Sequence, residues 1–136
     1  MLASLPLAAL PAAARLLSSA RGGFGAVVAE RDEVTLTMER SQWQSSALRR
    51  RARGEAGPFR AITIDLDLGF EVCGFLAPAA ERLAGAGVSI VPQCGYRKDH
   101  LLVLETQLER ALQSLQALMR ASRKQARAAG IRIADP

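Results

Sequence analysis

A hairpin pattern in the second half of the chain, two apolar runs around a polar centre, constrains the fold more than any other feature. Two apolar runs, residues 88–91 and 101–104, flank a polar centre at residues 95–100. The centre begins with Gly95, and glycine adopts backbone angles that other residues avoid. This arrangement is typical of a β-hairpin. Four side chains of chemical interest lie near the predicted turn: Cys94, Tyr96, Asp99 and the only histidine, His100.

The residues around this hairpin predict an α+β fold. Residues 59–68 alternate between apolar and polar side chains, which predicts a strand. Apolar residues at helical spacing predict a helix from Glu71 to Ala86, with Pro78 in its first turns. A second helix begins near Thr106, where a capping-box pattern occurs. The order strand, helix, strand, strand, helix predicts the ferredoxin-like (βαββαβ) plan, an antiparallel sheet with helices on one face.

The first half of the chain repeats part of this order. It predicts a strand within residues 2–10, a helix over 12–20 and a hairpin over 24–38, with three inward side chains: Val34, Leu36 and Met38. We therefore expect a partial βαββ unit over residues 1–40. Residues 41–58 are polar and arginine-rich and predict a linker, with Trp43 packing back on the first half.

The remaining boundaries are a second unit over residues 59–119 and a basic tail over 120–136. Within that tail, residues 131–133 predict either a last strand or a loose end. The 136 residues carry a net charge of +5, with arginines concentrated in the linker and the tail. The two readings of these arginines are solvated surface, which we favour, and phosphate binding.

Composition narrows the class of protein further. Cys73 and Cys94 form no disulfide framework or zinc spacing, and we predict that both are small core residues in a reducing compartment. No apolar run is long enough to span a bilayer, so we expect no membrane association and a cytoplasmic protein. Pro6 and Pro11 interrupt the first apolar stretch, which argues against a secretory signal, whereas an organelle transit peptide stays open.

Three segments of the second half resemble an ACT domain: residues 69–77, residues 83–90 and residues 94–103. They resemble in particular a group of small tandem ACT proteins, related to the regulatory ends of aspartate kinases and to cytosolic arginine sensors. That group typically reads Ser-Thr-Tyr-x-Thr-Asp-Tyr-x-Leu-Val where this chain reads Cys-Gly-Tyr-Arg-Lys-Asp-His-Leu-Leu-Val. The first half is similar more loosely, through residues 32–35.

The resemblance implies non-catalytic sensing of an amino acid, bound where two ACT units meet. It implies that the loop after the first strand and the start of the helix contact the ligand, through Gly69, Phe70, Cys73 and Gly74. Asp99 matches the hairpin aspartate of the group and could pair with an amine or guanidinium, as could Glu71.

Each of these residues also has a purely structural reading. Asp99 favours turns and Gly69 suits one, and Glu71 at a helix start is favoured by the helix dipole. Gly74 inside a helix would cost about 1 kcal/mol relative to alanine, which indicates close packing against a ligand or another chain. Cys94 and Gly95 remove two hydroxyls that the related group carries, so the identity of the ligand stays open.

Three functions follow from this reading. The first is a regulatory module that binds an amino acid or similar small effector, forms a homodimer and acts on a regulated protein. The second is a structural or dimerisation module that has lost its ligand. The third is a nucleic-acid binder, which we rank last because the strands lack base-stacking aromatic pairs. We expect no enzyme, no cofactor and no metal, since nothing pairs a nucleophile with a base.

Overall fold

The structure, a computed structural model, describes residues 1–20, 23–65 and 71–128. The chain divides into two units, Met1–Phe59 and Arg60–Pro136, and each has its own hydrophobic core. Antiparallel sheets covered by helices confirm the predicted α+β, ferredoxin-like class. Within the described ranges, no helix is both long enough and apolar enough to cross a membrane.

In its described residues, 1–20 and 23–59, the first unit contains four strands and two α-helices. In chain order these are β1 (Leu2–Pro6), α1 (Leu10–Ser18), β2 (Ala26–Ala29), β3 (Glu33–Thr37), α2 (Arg40–Ser45) and β4 (Gly54–Ala56). Short 3-10 helices, Leu7–Ala9 and Ala47–Arg51, precede α1 and follow α2. The sheet order is β2-β3-β1-β4, and every neighbouring pair is antiparallel. The first unit is therefore a complete βαββαβ unit.

The prediction of a partial unit over residues 1–40 and a linker over 41–58 is wrong. The predicted linker supplies most of α2 and all of β4, which pairs with β1 so that Leu2 lies opposite Ala56. All three residues of β4, Gly-Glu-Ala, are exposed, so this strand has no buried face that an apolar–polar alternation could mark in the sequence. A strand of this kind is defined by its backbone pairing with β1, which sequence periodicity does not register.

Polar contacts hold the predicted linker against the first sheet. The Arg53 backbone N–H donates to the carbonyl of Ser4 at 2.8 Å, and its Nη1 donates to the carbonyl of Asp32 at 3.1 Å. Arg49 Nε lies 3.0 Å from Glu55 Oε1, and this ion pair lowers the pKa of the Glu55 carboxyl. Arg53 thus fastens the predicted linker to the rest of the first unit, whereas the Arg49–Glu55 pair lies within the linker itself.

The first core confirms the inward side chains predicted for the hairpin. Leu5, Val34 and Leu36 are fully buried, Met38 is nearly so, and Trp43 of α2 is 1% exposed. Burying one such side chain contributes about 1.5–3 kcal/mol. Trp43 packs back on the first half as predicted, but it does so as part of a helix in the same unit.

The second unit has three strands and two α-helices in the described residues. They are β5 (Phe59–Ile64), α3 (Ala77–Gly85), β6 (Ile90–Cys94), β7 (Asp99–Leu104) and α4 (Leu108–Ala128), with a 3-10 turn, Glu105–Gln107, before α4. The sheet order is β5-β7-β6. Both helices and the sheet contribute to one core, through Leu83, Leu101, Val103 and Ala111. The strand or loose end considered for residues 131–133 lies outside the described residues.

Two helix boundaries of the second unit differ from their predictions. The helix predicted from Glu71 begins at Ala77, with Pro78 in its first turn. In a helix that began at Glu71, the Pro78 ring would clash with the carbonyl of Gly74, so the proline sets the start. Helix α4 continues to Ala128, so residues 120–128, which were assigned to the basic tail, lie on a helix.

Candidate functional site

The hairpin of the second unit places Asp99 at the end of the sheet. Strands β6 and β7 pair with Ile90 opposite Val103, and their last pair is Cys94 with Asp99. The backbone N–H of Gly95 donates to the carbonyl of Lys98 at 2.8 Å and closes the turn. The predicted hairpin is confirmed, and Asp99 is its first residue after the turn.

Asp99 acts directly on the neighbouring Cys94 side chain. The Cys94 thiol donates a hydrogen bond to the Asp99 carboxylate, which raises the pKa of Cys94, and burial and the negative charge raise it further. A raised pKa keeps the sulfur protonated, and the thiol is a far weaker nucleophile than the thiolate. The geometry thus disfavours covalent chemistry at Cys94.

The prediction that the cysteines are core residues is wrong for both of them. Cys73 and Cys94 are free thiols with exposed side chains. Cys94 lies at the end of a strand beside the turn, and Cys73 lies in the connection before α3. Cys94 shares its face of β6 with Ile90, which packs against the second core, so its exposure comes from its place at the last position of the strand. Cys73 lies outside the sheet.

Two polar contacts join β5 to the hairpin beside Asp99. Lys98 Nζ lies 2.8 Å from Asp65 Oδ2, and Thr63 Oγ1 lies 3.0 Å from His100 Nδ1. Thr63 and Asp65 share one face of β5 because side chains two residues apart point the same way. The alternation of residues 59–68 predicted that face, although its partners on the hairpin follow only from the pairing of β5 with β7. His100 is half-buried.

The connection before α3 carries three of the predicted ligand-binding residues. Glu71, Cys73 and Gly74 are all exposed, and the Cys73 thiol donates to the Glu71 carbonyl at 3.5 Å. Gly69 and Phe70 lie outside the described residues. The structure therefore describes four of the six predicted site residues, three in this connection and Asp99 on the hairpin.

Gly74 differs from its prediction in a way that changes its role. It lies outside the helix with φ of +73°, and its carbonyl accepts a hydrogen bond from the Ala77 N–H at 3.2 Å. A side chain at this left-handed angle would be strained, although a Cβ there would meet no atom of the described residues within 4 Å. The glycine is therefore explained by backbone conformation.

Metal chemistry finds no support in the described part of the chain. No three histidine, cysteine, aspartate or glutamate side chains come close enough there to hold a metal ion. The carboxylates of Glu71 and Asp99 are groups that can accept hydrogen bonds from an amine or an ammonium, and the hairpin also carries the cationic side chains of Arg97 and Lys98.

Comparison with known proteins agrees with this geometry. Residues 57–117 match the family described as the ACT domain. A crystal structure of a Vibrio cholerae protein of unknown function, described as a possible transport protein, aligns over 85% of this chain and 81% of its own, with 27% identity and a TM-score of 0.63. An Agrobacterium tumefaciens protein shares the fold over 85% of this chain and 79% of its own, with 21% identity and a TM-score of 0.66. No curated protein sequence matches the chain. The hairpin that carries Asp99 and the connection that carries Gly74 both lie within the matched residues, and this part of the chain is an ACT domain.

Proposed function

We propose that this protein is a non-catalytic regulatory module that binds an amino acid or a similar small effector. The observation that carries the proposal is the match to the ACT domain at residues 57–117, in which the connection before α3 is exposed and no atom of the described residues crowds Gly74. A small ligand can approach open backbone closely where no side chain intervenes. The carboxylates of Glu71 and Asp99 would supply acceptors for a cationic group of the ligand.

Asp99 keeps acceptor capacity for a ligand although it already accepts from Cys94. An ionised carboxylate has two oxygens and about four lone-pair sites. The Cys94 thiol accounts for one of these sites, and Asp99 lies opposite Cys94 at the first position of β7. We therefore assign Asp99 to the amine or guanidinium of the effector, and the backbone around Cys73 and Gly74 to its carboxylate.

Binding would act by changing how ACT units pair. We expect a homodimer, because antiparallel sheets of this plan expose edges that pair readily with other strands. An effector held between two units stabilises the paired state by its differential affinity for that state. Light scattering with and without the effector measures this, and a monomer under both conditions would contradict the pairing mechanism.

The first experiment is a thermal-shift screen of the full chain against the twenty amino acids. A ligand at about 100 times its dissociation constant adds about 2.7 kcal/mol of stability, which raises the midpoint by several degrees. Calorimetry with Asp99→Ala then tests the site. Losing a hydrogen bond to a charged group should weaken binding by about 10- to 100-fold.

The matched control is Asp32→Ala. Asp32 is an exposed aspartate in the turn between β2 and β3 of the first unit, so its removal changes the net charge equally. We expect this variant to bind the effector as the parent does. Equal affinity of the parent and Asp99→Ala would remove Asp99 from the site.

A structural module without a ligand is the second candidate. It is favoured by Cys94 and Gly95, which stand where the related group carries hydroxyls, and by the engagement of Asp99 with the Cys94 thiol. A flat thermal-shift response from a protein that still dimerises would support this candidate. Nucleic-acid binding ranks third, and only binding that survives high salt would favour it, since phosphate contacts alone weaken steeply with salt.

A further inference from the structure

Helix α4 carries apolar side chains that the core of the second unit does not cover. Ala111 is fully buried in that core, and Leu108 and Leu115 pack against it while half-buried. By contrast, Leu112 is 40% exposed and Met119 is 56% exposed. Scattered exposed apolar residues are normal on a protein surface. Here, however, two of them lie on one helix beside two half-buried leucines, so their spacing needs to be considered.

The four residues follow a heptad spacing. Leu108, Leu112, Leu115 and Met119 are separated by four, three and four residues. Seven residues make nearly two turns of an α-helix, so this spacing aligns the four side chains in one stripe along α4. We call this stripe the α4 seam. Apolar residues with this spacing are typical of a helix that packs against a second helix.

The two ends of the α4 seam differ in charge. Glu109, near the start of the helix, is the only acidic residue of α4. Arg120, Arg123 and Lys124 lie in its second half, and all three are exposed. Glu109 Oε1 accepts a hydrogen bond from Gln113 at 3.3 Å, which leaves lone pairs of the carboxylate for a second donor. The seam therefore has an acidic end and a basic end.

This difference in charge decides how a second copy of the chain fits the seam. Two parallel helices would bring their basic ends together, whereas in an antiparallel pair each acidic end meets a basic end. Glu109 and Arg123 are fourteen residues apart, which is two heptads, so they lie on the same flank of the seam. In a two-fold interface residue i contacts residue j and j contacts i. An antiparallel pair therefore places Glu109 of each copy near Arg123 of the other.

We propose that the α4 seam is an interface between two copies of this chain, packed antiparallel, which buries Leu112 and Met119 and brings Glu109 to Arg123 at each end. The inference rests on the homodimer of the proposed function and deepens it, because it names the surface where two copies meet. Pairing at sheet edges would not involve these side chains. One helix from each copy makes a small interface, so we expect a dissociation constant in the micromolar range.

Sedimentation equilibrium of the full chain tests the seam. The parent should dimerise, and the double variant Leu112→Ser/Met119→Ser should raise the dissociation constant at least about tenfold, because apolar area at the interface is lost. Leu7→Ser is the matched control, since Leu7 is 43% exposed but lies in the first unit. It should dimerise as the parent does. Circular dichroism and urea denaturation show that each variant is folded.

Exchange of charges tests the antiparallel orientation. Glu109→Lys and Arg123→Glu should each weaken dimerisation by about three- to tenfold, because each change turns two attractive contacts between the copies into repulsive ones. The variant with both changes restores opposite charges across the interface and should recover the parent affinity. Within one helix the two positions are about 21 Å apart, so this recovery can arise only between copies.

The outcomes separate the seam from the proposed function. If Leu112→Ser/Met119→Ser dimerised with the affinity of the parent, the seam would be wrong while the homodimer stood. A monomeric parent would overturn the seam and the pairing mechanism together, whereas effector binding is decided separately by the thermal-shift screen. Single charge variants that dimerise as the parent does would overturn the antiparallel arrangement.

Discussion

Trp43 provides the sharpest test of whether residues 41–58 belong to the first unit. Its side chain is 1% exposed and is the largest of the fully buried side chains. Replacing a buried tryptophan by alanine costs about 3–5 kcal/mol, since apolar contacts are lost and a cavity remains. A linker residue in the same position of the sequence would cost almost nothing when truncated.

The expected loss is large compared with the stability of the unit itself. Stability of about 0.05–0.15 kcal/mol per residue gives roughly 3–9 kcal/mol for Met1–Phe59. Trp43→Ala should therefore remove between a third and all of it. With about 4–8 °C of midpoint per kcal/mol for a unit of this size, the melting temperature should fall by at least about 12 °C.

The assay combines urea denaturation, which measures stability, with amide hydrogen exchange measured separately for each peptide fragment of the chain. Trp43 is the only tryptophan, so its emission in the parent protein reports unfolding of the first unit alone. In Trp43→Ala, amide protection should fall in β1, β3 and β4, while β6 and β7 keep theirs, because the two cores are separate. Trp43→Phe retains an aromatic ring and should lose less.

Leu7→Ala is the control within the same unit, since Leu7 is 43% exposed and its truncation should cost less than about 1 kcal/mol. The reasoning would be refuted if the urea midpoint of Trp43→Ala equalled that of the parent protein. It would equally fail if the amides of Gly54–Ala56 exchanged in the parent as fast as an unstructured peptide, since β4 pairs with β1.

Four further predictions concern the second unit. Asp99→Asn should lower the pKa of Cys94. In a Cys73→Ser background, the Cys94 thiol of this variant should then react with iodoacetamide at a lower pH than it does with Asp99 present. An unchanged pH profile of this reaction would contradict the thiol–carboxylate bond. Because folding raises the pKa of Cys94, this thiol stabilises the folded state below the ordinary thiol pKa, and that contribution is lost as the pH rises above it. The urea midpoint of the parent should therefore fall at alkaline pH, and Cys94→Ala should lack this part of the fall. Gly74→Ala should lower the free energy of unfolding by about 1–2 kcal/mol because φ is +73° at this position. Gly85→Ala is the control, since Gly85 lies in a helix with no described atom near its Cβ position, and it should be neutral or stabilising. Equal urea midpoints of the two variants would contradict the left-handed angle. Lys98→Ala should cost at most about 1 kcal/mol, measured by urea denaturation, because its pair with Asp65 is exposed.

The second unit could be predicted well because its signals are local. The two apolar runs around the polar centre at Gly95 predicted the β6–β7 hairpin, and the apolar spacing around Leu83 predicted the presence of α3. The start of α3 was missed although Pro78 contained the information, since a proline eight residues into a helix removes a hydrogen bond and clashes with the preceding turn. The exposure of Cys94 was missed because composition does not tell which end of a strand reaches solvent.

The candidate site could be predicted in its parts and not in its arrangement. Asp99 and the connection before α3 were identified from residues that resemble the ACT family. The contacts of Thr63 with His100 and of Asp65 with Lys98 join residues more than thirty positions apart, so they depend on the pairing of β5 with β7.

The sequence by itself determined the α+β class, the hairpin of the second unit and the inward side chains of β3, since each follows from a repeat of two or of about 3.6 residues within one segment. Tertiary structure alone decided that the first half is a complete βαββαβ unit. Strand β4 has three exposed residues and no period of its own, so it becomes a strand only through its backbone hydrogen bonds to β1. Hydrogen bonds between residues distant in sequence leave no periodic trace, and for that reason the predicted linker is part of the fold.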